Sequence, residues 1–233
     1  MIGCLCIHGF TGAPYEVEPL AAYLREKTDW KIVVPTLPGH GSSPALKGIT
    51  YQHWLEHAVA EMKKLLAECE HVYLIGFSMG GLISIYLANK YPAEKLILLS
   101  AAAKYINVGQ MILDIGDMLK DAKSGRLQDN HLFVRYKDKL FKTPLSATWQ
   151  FRKMVVCTRP LLNNITIPTF IAQGMADGVV PPKSAEFIYN QIGSKQKEIY
   201  YSPTAKHHIC HTGEREILFE KIFTFLSRSS RVS

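Results

Sequence analysis

The chain has 233 residues, 47% of them hydrophobic and 20% charged, with 27 Lys and Arg against 20 Asp and Glu for a formal charge of +7. That length suits one α/β domain that buries most of its apolar surface, and no window stays apolar long enough to span a bilayer. The charge admits nucleic acid, an anionic membrane surface or an acidic substrate, but basic residues are scattered, dense only at 135–142 and 228–231. No nucleic-acid motif accompanies them, so a solvated basic face is expected and nucleic acid is not.

The opening run Met1 to Ile7 is apolar, lacks a basic leader and leads straight into His8-Gly9. It reads as a strand and not as a signal peptide, which makes the cytoplasm the expected location. Tyr15 to Lys27 reads as a helix with Val17, Leu20, Ala21 and Leu24 on one face, and Lys31 to Val34 as a short strand ending at Pro35. After a Gly/Pro-rich loop, Tyr51 to Cys69 places Trp54, Leu55, Ala58, Val59, Met62, Leu65 and Leu66 at helical spacing. A strand over 71–75 ends at Gly76, Met79 to Lys90 is helical, and Lys95 to Ser100 is a further strand, with Pro92 marking the break.

Near-continuous apolar strands separated by helices imply a parallel sheet covered on both faces. The rhythm pauses between Ala101 and Ile165, where amphipathic pieces at 108–123, 130–141 and 145–156 read as a helical insertion over one end of the sheet. Strands resume at Pro168 to Gln173 and Lys197 to Tyr201, with a helix over 183–192 between them and a last helix over 214–226. The expected architecture is a single α/β domain with an insertion at about 101–165. Five cysteines (Cys4, Cys6, Cys69, Cys157, Cys210) form an odd set without a framework, which fits a reducing compartment and small, buried filling. Cys4 and Cys6 share one strand face and do not suit a disulfide; metal binding by the pair is the lesser reading.

Chemistry concentrates at Gly76-Phe77-Ser78-Met79-Gly80, between a strand and a helix. A Gly-x-Ser-x-Gly run gains a mechanism where a strand turns sharply into a helix and holds the serine at a strained, exposed corner, so Ser78 is the candidate nucleophile. A serine hydroxyl needs a base, a group to orient that base, and donors for an oxyanion. In a parallel sheet these belong beyond the carboxyl ends of strands. Asp177, in the loop after the strand ending at Gln173, fits the acid, although Asp177-Gly178 is also a common turn pair.

The loop after Tyr201 carries His207, His208 and His211, and chain order Ser, Asp, His matches an α/β-hydrolase. His207 is the preferred base and His208 its rival. The same cluster with Cys210 is a weaker metal reading, because four donors within five residues lack the usual zinc-ligand spacing. His8-Gly9-Phe10-Thr11-Gly12 follows the first strand, and the backbone N–H groups of Phe10 and Met79 are the expected oxyanion donors. His8 itself reads as a structural loop residue.

Together, His8-Gly9-Phe10-Thr11-Gly12, Pro38-Gly39-His40-Gly41, Gly76 to Gly81, Gln173 to Asp177 and a late histidine resemble the α/β-hydrolase superfamily, most of all bacterial carboxylesterases and monoacylglycerol lipases. The resemblance covers nearly the whole chain and implies a mostly parallel sheet of about six strands, since the chain begins at the strand that usually comes third. It implies a Ser78, Asp177, His207 triad, with Ala205-Lys206 before the histidine and His208 after it as departures from the family pattern. It also implies that 101–165 forms a cap over an apolar acyl pocket, with Met111, Ile112, Met118, Leu119 and Val179 as candidate substrate-binding residues. The implied partner is a small acyl ester, short to medium in chain length and including monoacylglycerols. No cofactor or metal is called for, and transient contact with a lipid surface is left open. Alternatives are thioester or amide cleavage or perhydrolysis by the same triad, or a non-catalytic small-molecule receptor.

Overall fold

A computed structural model describes residues 1–41, 45–104 and 143–228. The expected cap pieces at 108–123 and 130–141, and with them Met111, Ile112, Met118 and Leu119, lie outside the described residues. In chain order the elements are β1 (Ile2–Ile7), α1 (Glu18–Lys27), β2 (Lys31–Val33), α2 (Tyr51–Glu68), β3 (His71–Phe77), α3 (Met79–Lys90) and β4 (Lys95–Leu99). They continue with α4 (Leu145–Thr158), β5 (Thr169–Gly174), α5 (Lys183–Gln191), β6 (Lys197–Ser202) and α6 (Arg215–Ser227). The six strands form one sheet in the order β2-β1-β3-β4-β5-β6, parallel at every pairing.

Alternation along each strand divides the core in two, because successive side chains point to opposite faces. Leu5, Ile7, Val72, Leu74, Leu96, Leu98 and Ile171 face a cluster that includes Trp54 and Met62 of α2, Leu82 of α3, Phe151 of α4 and Ile188 of α5. Cys4, Cys6, Tyr73, Ile75, Phe77, Ile97, Leu99, Phe170 and Ala172 face the other, built on Leu20 and Leu24 of α1 and Leu218, Phe219 and Ile222 of α6. Every strand of the sheet's centre is therefore apolar on both sides, which is why these segments read as unbroken hydrophobic runs.

Three expectations are corrected. The helix expected over 15–27 is a short 3-10 helix, Pro14–Glu16, followed by α1 from Glu18, because Pro19 falls in the first turn of α1 where its missing N–H costs nothing. The strand expected to stop at Gly76 runs through Phe77, so the turn to α3 is made by Ser78 alone. Cys157 is exposed on α4, whereas Cys4, Cys6, Cys69 and Cys210 are buried; all five are free thiols. Among the described residues no helix is long and apolar enough to cross a membrane.

The topology also selects the place for a site. The chain leaves β1 for β2 on one side and returns to β3 on the other, so the direction of winding reverses between β1 and β3. Loops leaving the carboxyl ends of two such strands part in opposite directions and open a crevice. In register Ile7 lies beside Gly76, which sets the turn that begins at His8 next to Phe77 and Ser78.

Candidate active site

Ser78 has φ 53° and ψ −112°, a backbone conformation that L-residues rarely adopt. Its strain is held from several sides: Ser78 N–H donates to the Leu99 carbonyl at 2.9 Å, and the Ser78 carbonyl accepts from Gly81 at 3.1 Å and Ala102 at 3.3 Å. The flanking glycines are required by contact. A Cβ on Gly76 would lie 2.3 Å from the Gly80 carbonyl oxygen, and one on Gly80 would lie 2.1 Å from that of Ile7. β3, α3 and β1 thus approach more closely than any side chain permits, and the serine is pushed out at the top of the sheet.

Around this corner the strand ends assemble an ordered chain of side chains. His207 Nε2 lies 3.1 Å from Ser78 Oγ, and His207 Nδ1 lies 2.9 Å from Asp177 Oδ2. A carboxylate only accepts, so Nδ1 carries the hydrogen and Nε2 is left to accept from the serine hydroxyl. Asp177 is buried, and every oxygen it offers is used: Oδ1 accepts the Val179 and Val180 N–H groups at 2.9 and 2.8 Å, and Oδ2 accepts Gln173 Nε2 at 2.9 Å besides His207. Burial alone would raise its pKa, but the charge and hydrogen bond of His207, the Val180 amide and Gln173 together hold it below the usual carboxylate value.

The late-histidine loop gives each of its three rings different partners. His207 faces Ser78 and Asp177, His208 Nε2 meets Glu16 Oε1 at 3.3 Å, and His211 Nε2 donates to the Tyr15 carbonyl at 2.8 Å. The rival base is thus aimed at a different carboxylate. Among the described residues no cluster of three or more His, Cys, Asp or Glu side chains has the geometry to hold a metal ion.

Phe10 lies in the turn after β1, and Met79 directly follows Ser78 at the first position of α3. Among the described residues neither backbone N–H is taken up by an acceptor. The helix start adds its favourable potential for negative charge at Met79. Phe10 is pinned by its ring, stacked on Phe151 of α4 at 5.0 Å between centroids and edge-on to Trp54 at 5.8 Å. The turn is held from outside as well: Leu37 N–H donates to His8 Nε2 at 3.1 Å and Gly41 N–H to the Gly12 carbonyl at 3.2 Å, while Trp54 Nε1 braces the Pro38 carbonyl at 3.1 Å. His8 is fully buried, its Nδ1 donating to the Gly9 carbonyl, and so performs the structural role its loop position suggested. Val179 donates its N–H to Asp177, and its side chain belongs to the core cluster against which Phe10 packs.

Residues 3–215 match the family described as serine aminopeptidase, S33. The chain belongs to that family. This hydrolase is 26% identical to a thermostable monoacylglycerol lipase of Bacillus sp. (strain H-257), over 97% of its own length and 91% of the relative's. To a carboxylesterase of Bacillus subtilis (strain 168) it is 24% identical, over 96% and 92% of the two chains. Its fold is similar to that of a chain from the work on the metagenome-derived lipolytic enzymes LipS and LipT, with a TM-score of 0.77 at 24% identity, covering 97% and 93%. The α/β-hydrolase fold and the hydrolase class of this enzyme follow.

Two contributors to the hydrolase's site escaped the sequence reading. Gln173 sits at the end of β5, buried, with Nε2 bonded to Asp177 Oδ2, the Val180 carbonyl at 2.8 Å and, more weakly, the Gly174 carbonyl at 3.3 Å. Glu16 is buried beneath the turn after β1, where Oε2 accepts the Gly9 N–H at 2.8 Å. Glu16 and Glu18 look alike in sequence, and only the fold separates a buried acid from a half-buried one. For Gln173 a signal existed: an uncharged amide closing an apolar strand four residues before the candidate acid.

Proposed function

We propose that this hydrolase is a serine carboxylester hydrolase acting on short- to medium-chain acyl esters, monoacylglycerols among them, through an acyl-enzyme. The observation that carries the reading is the continuous Ser78–His207–Asp177 hydrogen-bond chain at the switch point of the sheet. Ser78 Oγ attacks the ester carbonyl while His207 Nε2 takes its proton, and the carbonyl π pair moves onto oxygen, which rests on the Phe10 and Met79 N–H groups. Asp177, kept ionised by its four donors, stabilises the imidazolium. His207 then returns the proton to the leaving alcohol as the C–O bond breaks. Water repeats the sequence on the acyl-enzyme, with His207 again as base, and releases the acid.

The names of the two full-length relatives, a monoacylglycerol lipase and a carboxylesterase, support esters over amides as substrates. The acyl chain is assigned to the side of Phe10 and Phe151, whose core cluster also holds Val179, while the other candidates, Met111, Ile112, Met118 and Leu119, lie outside the described residues. A fluorophosphonate probe tests the nucleophile: one equivalent of label on Ser78 is expected, and none on Ser78→Ala. A series of nitrophenyl esters and monoacylglycerols of increasing chain length tests the substrate, with a maximum in the short to medium range expected. Turnover of aminoacyl nitroanilides in preference to every ester would overturn the ester reading.

A further inference from the structure

We propose that Glu16 and His208 form a positioning pair that holds the Gly9–Gly12 turn so that the Phe10 N–H faces the oxyanion, an inference that rests on the ester-hydrolase reading above. The peptide joining Gly9 to Phe10 decides the direction of that N–H. In a trans peptide the carbonyl and the following N–H point opposite ways. The Gly9 carbonyl is turned inward, accepting from Gly12 N–H at 3.2 Å and His8 Nδ1 at 2.9 Å. The Phe10 N–H is thereby turned the other way. The opposite side of Gly9 is held by Glu16, whose Oε2 accepts the Gly9 N–H at 2.8 Å.

The carboxylate occupies the space inside this turn. A Cβ on Gly12 would lie 2.0 Å from Glu16 Oε2, so the second glycine of His8-Gly9-Phe10-Thr11-Gly12 makes room for the acid as well as for the backbone. Thr11, at φ 59°, completes a turn that an unsupported backbone does not favour. A buried charge is retained only where it is paired and hydrogen-bonded, and Glu16 is both, through Gly9 and through His208.

His208 gives the pair its reach. It follows His207 directly and its Nε2 meets Glu16 Oε1 at 3.3 Å, so one carboxylate ties the turn after β1 to the loop after β6 that carries the proposed base. Two carboxylate–imidazole pairs thus stand side by side, Asp177–His207 facing the nucleophile and Glu16–His208 facing the oxyanion donor.

The experiment measures kcat and KM on one nitrophenyl ester for Glu16→Ala, Glu16→Gln and His208→Gln, with inhibition by a trifluoromethyl ketone that forms an oxyanion on Ser78. Displacing one oxyanion donor costs on the order of 10²-fold in kcat. Glu16→Ala is expected to lose about that much with KM within about twofold, and to bind the ketone more weakly in proportion to kcat/KM. Glu16→Gln, whose amide oxygen still accepts the Gly9 N–H, is expected to recover kcat to within about tenfold of the parent. If Glu16→Ala does not fold, His208→Gln is read by the same split, with kcat expected to fall about 10-fold or more and ketone affinity with it. Unchanged kcat and ketone affinity in folded Glu16→Ala or His208→Gln, with only thermal stability lowered, overturns the pair's positioning role. A parent enzyme that is not labelled at Ser78 and cleaves no ester instead sinks the underlying reading.

Discussion

His207 and His208 are neighbours in the chain, yet their rings stand at 78° to one another with centroids 5.7 Å apart, and each faces a different carboxylate. The backbone between them turns so that one ring enters the crevice beside Ser78 and the other lies under the turn after β1. Adjacent residues with the same side chain therefore receive different chemistry.

The two substitutions should differ by orders of magnitude. His207→Ala is expected to lower kcat by about 10⁴-fold or more, as loss of a triad base does. His208→Ala is expected to cost no more than about 10²-fold, since it leaves the proton path intact. Steady-state kinetics on a nitrophenyl ester measures both, and a larger loss for His208→Ala would reverse the assignment of the base.

Gln173 supplies a donor to an ionised acceptor, and such a bond contributes about 1.5–3 kcal/mol. Gln173→Leu removes it while keeping the apolar volume, and also removes the buried Oε1 that lacks a hydrogen-bond partner among the described residues. We expect kcat to fall about 10- to 100-fold and stability to fall by about 1–3 kcal/mol, since Asp177 Oδ2 and the Val180 carbonyl both lose this donor. Denaturation midpoints beside kcat separate the two effects.

Glu16 predicts a loss of stability in acid. Burial would raise its pKa, but the His208 hydrogen bond and charge and the Gly9 N–H outweigh burial and bring it from 4.5 down to about 2. Cys210 and His211 also feel this charge, Cys210 being pushed well up by burial with Cys6 and Glu16 adding, and His211 pushed down chiefly by burial. The folded state thus binds the Glu16 proton more weakly than the unfolded chain does. Its contribution, on the order of 3 kcal/mol, is present in full above about pH 4.5 and is lost as pH falls toward about 2. Urea denaturation of the parent and Glu16→Gln at intervals from pH 7 to 3 is expected to show the difference between them shrinking at the acid end.

Gly80 tests the turn itself. A methyl group there would stand 2.1 Å from the Ile7 carbonyl oxygen, a backbone atom that cannot turn aside. Gly80→Ala is expected to cost about 2–4 kcal/mol of stability and to reduce fluorophosphonate labelling of Ser78 in the protein that folds. Chemical denaturation together with the labelling rate measures both.

Local pattern made much of this hydrolase legible. Leu96, Leu98 and their neighbours are apolar on both sides of their strand, which announces a buried parallel sheet before any coordinate is known. Glycines at 76 and 80 around a serine, after one strand and before a helix, announce the turn. Loops at the carboxyl ends of strands single out Asp177 and a late histidine as candidates, and their order after Ser78 is the one expected of an α/β-hydrolase. Boundaries shifted by a residue or more where backbone hydrogen bonds carried a strand one step further, as at Phe77, or where Pro19 reset the start of α1.

Long-range approach supplied the rest. The choice between His207 and His208 depends on which ring the loop after β6 delivers to a crevice between β1 and β3, and no local pattern encodes that. Glu16 is separated from His208 by 192 positions, and the two meet only because the turn after β1 and the loop after β6 come together at the carboxyl ends of the strands. Strand, turn and proposed nucleophile follow from interactions among near neighbours in the chain. The proposed base and the buried acid beneath the turn after β1 follow from contacts that form only when distant loops are brought together.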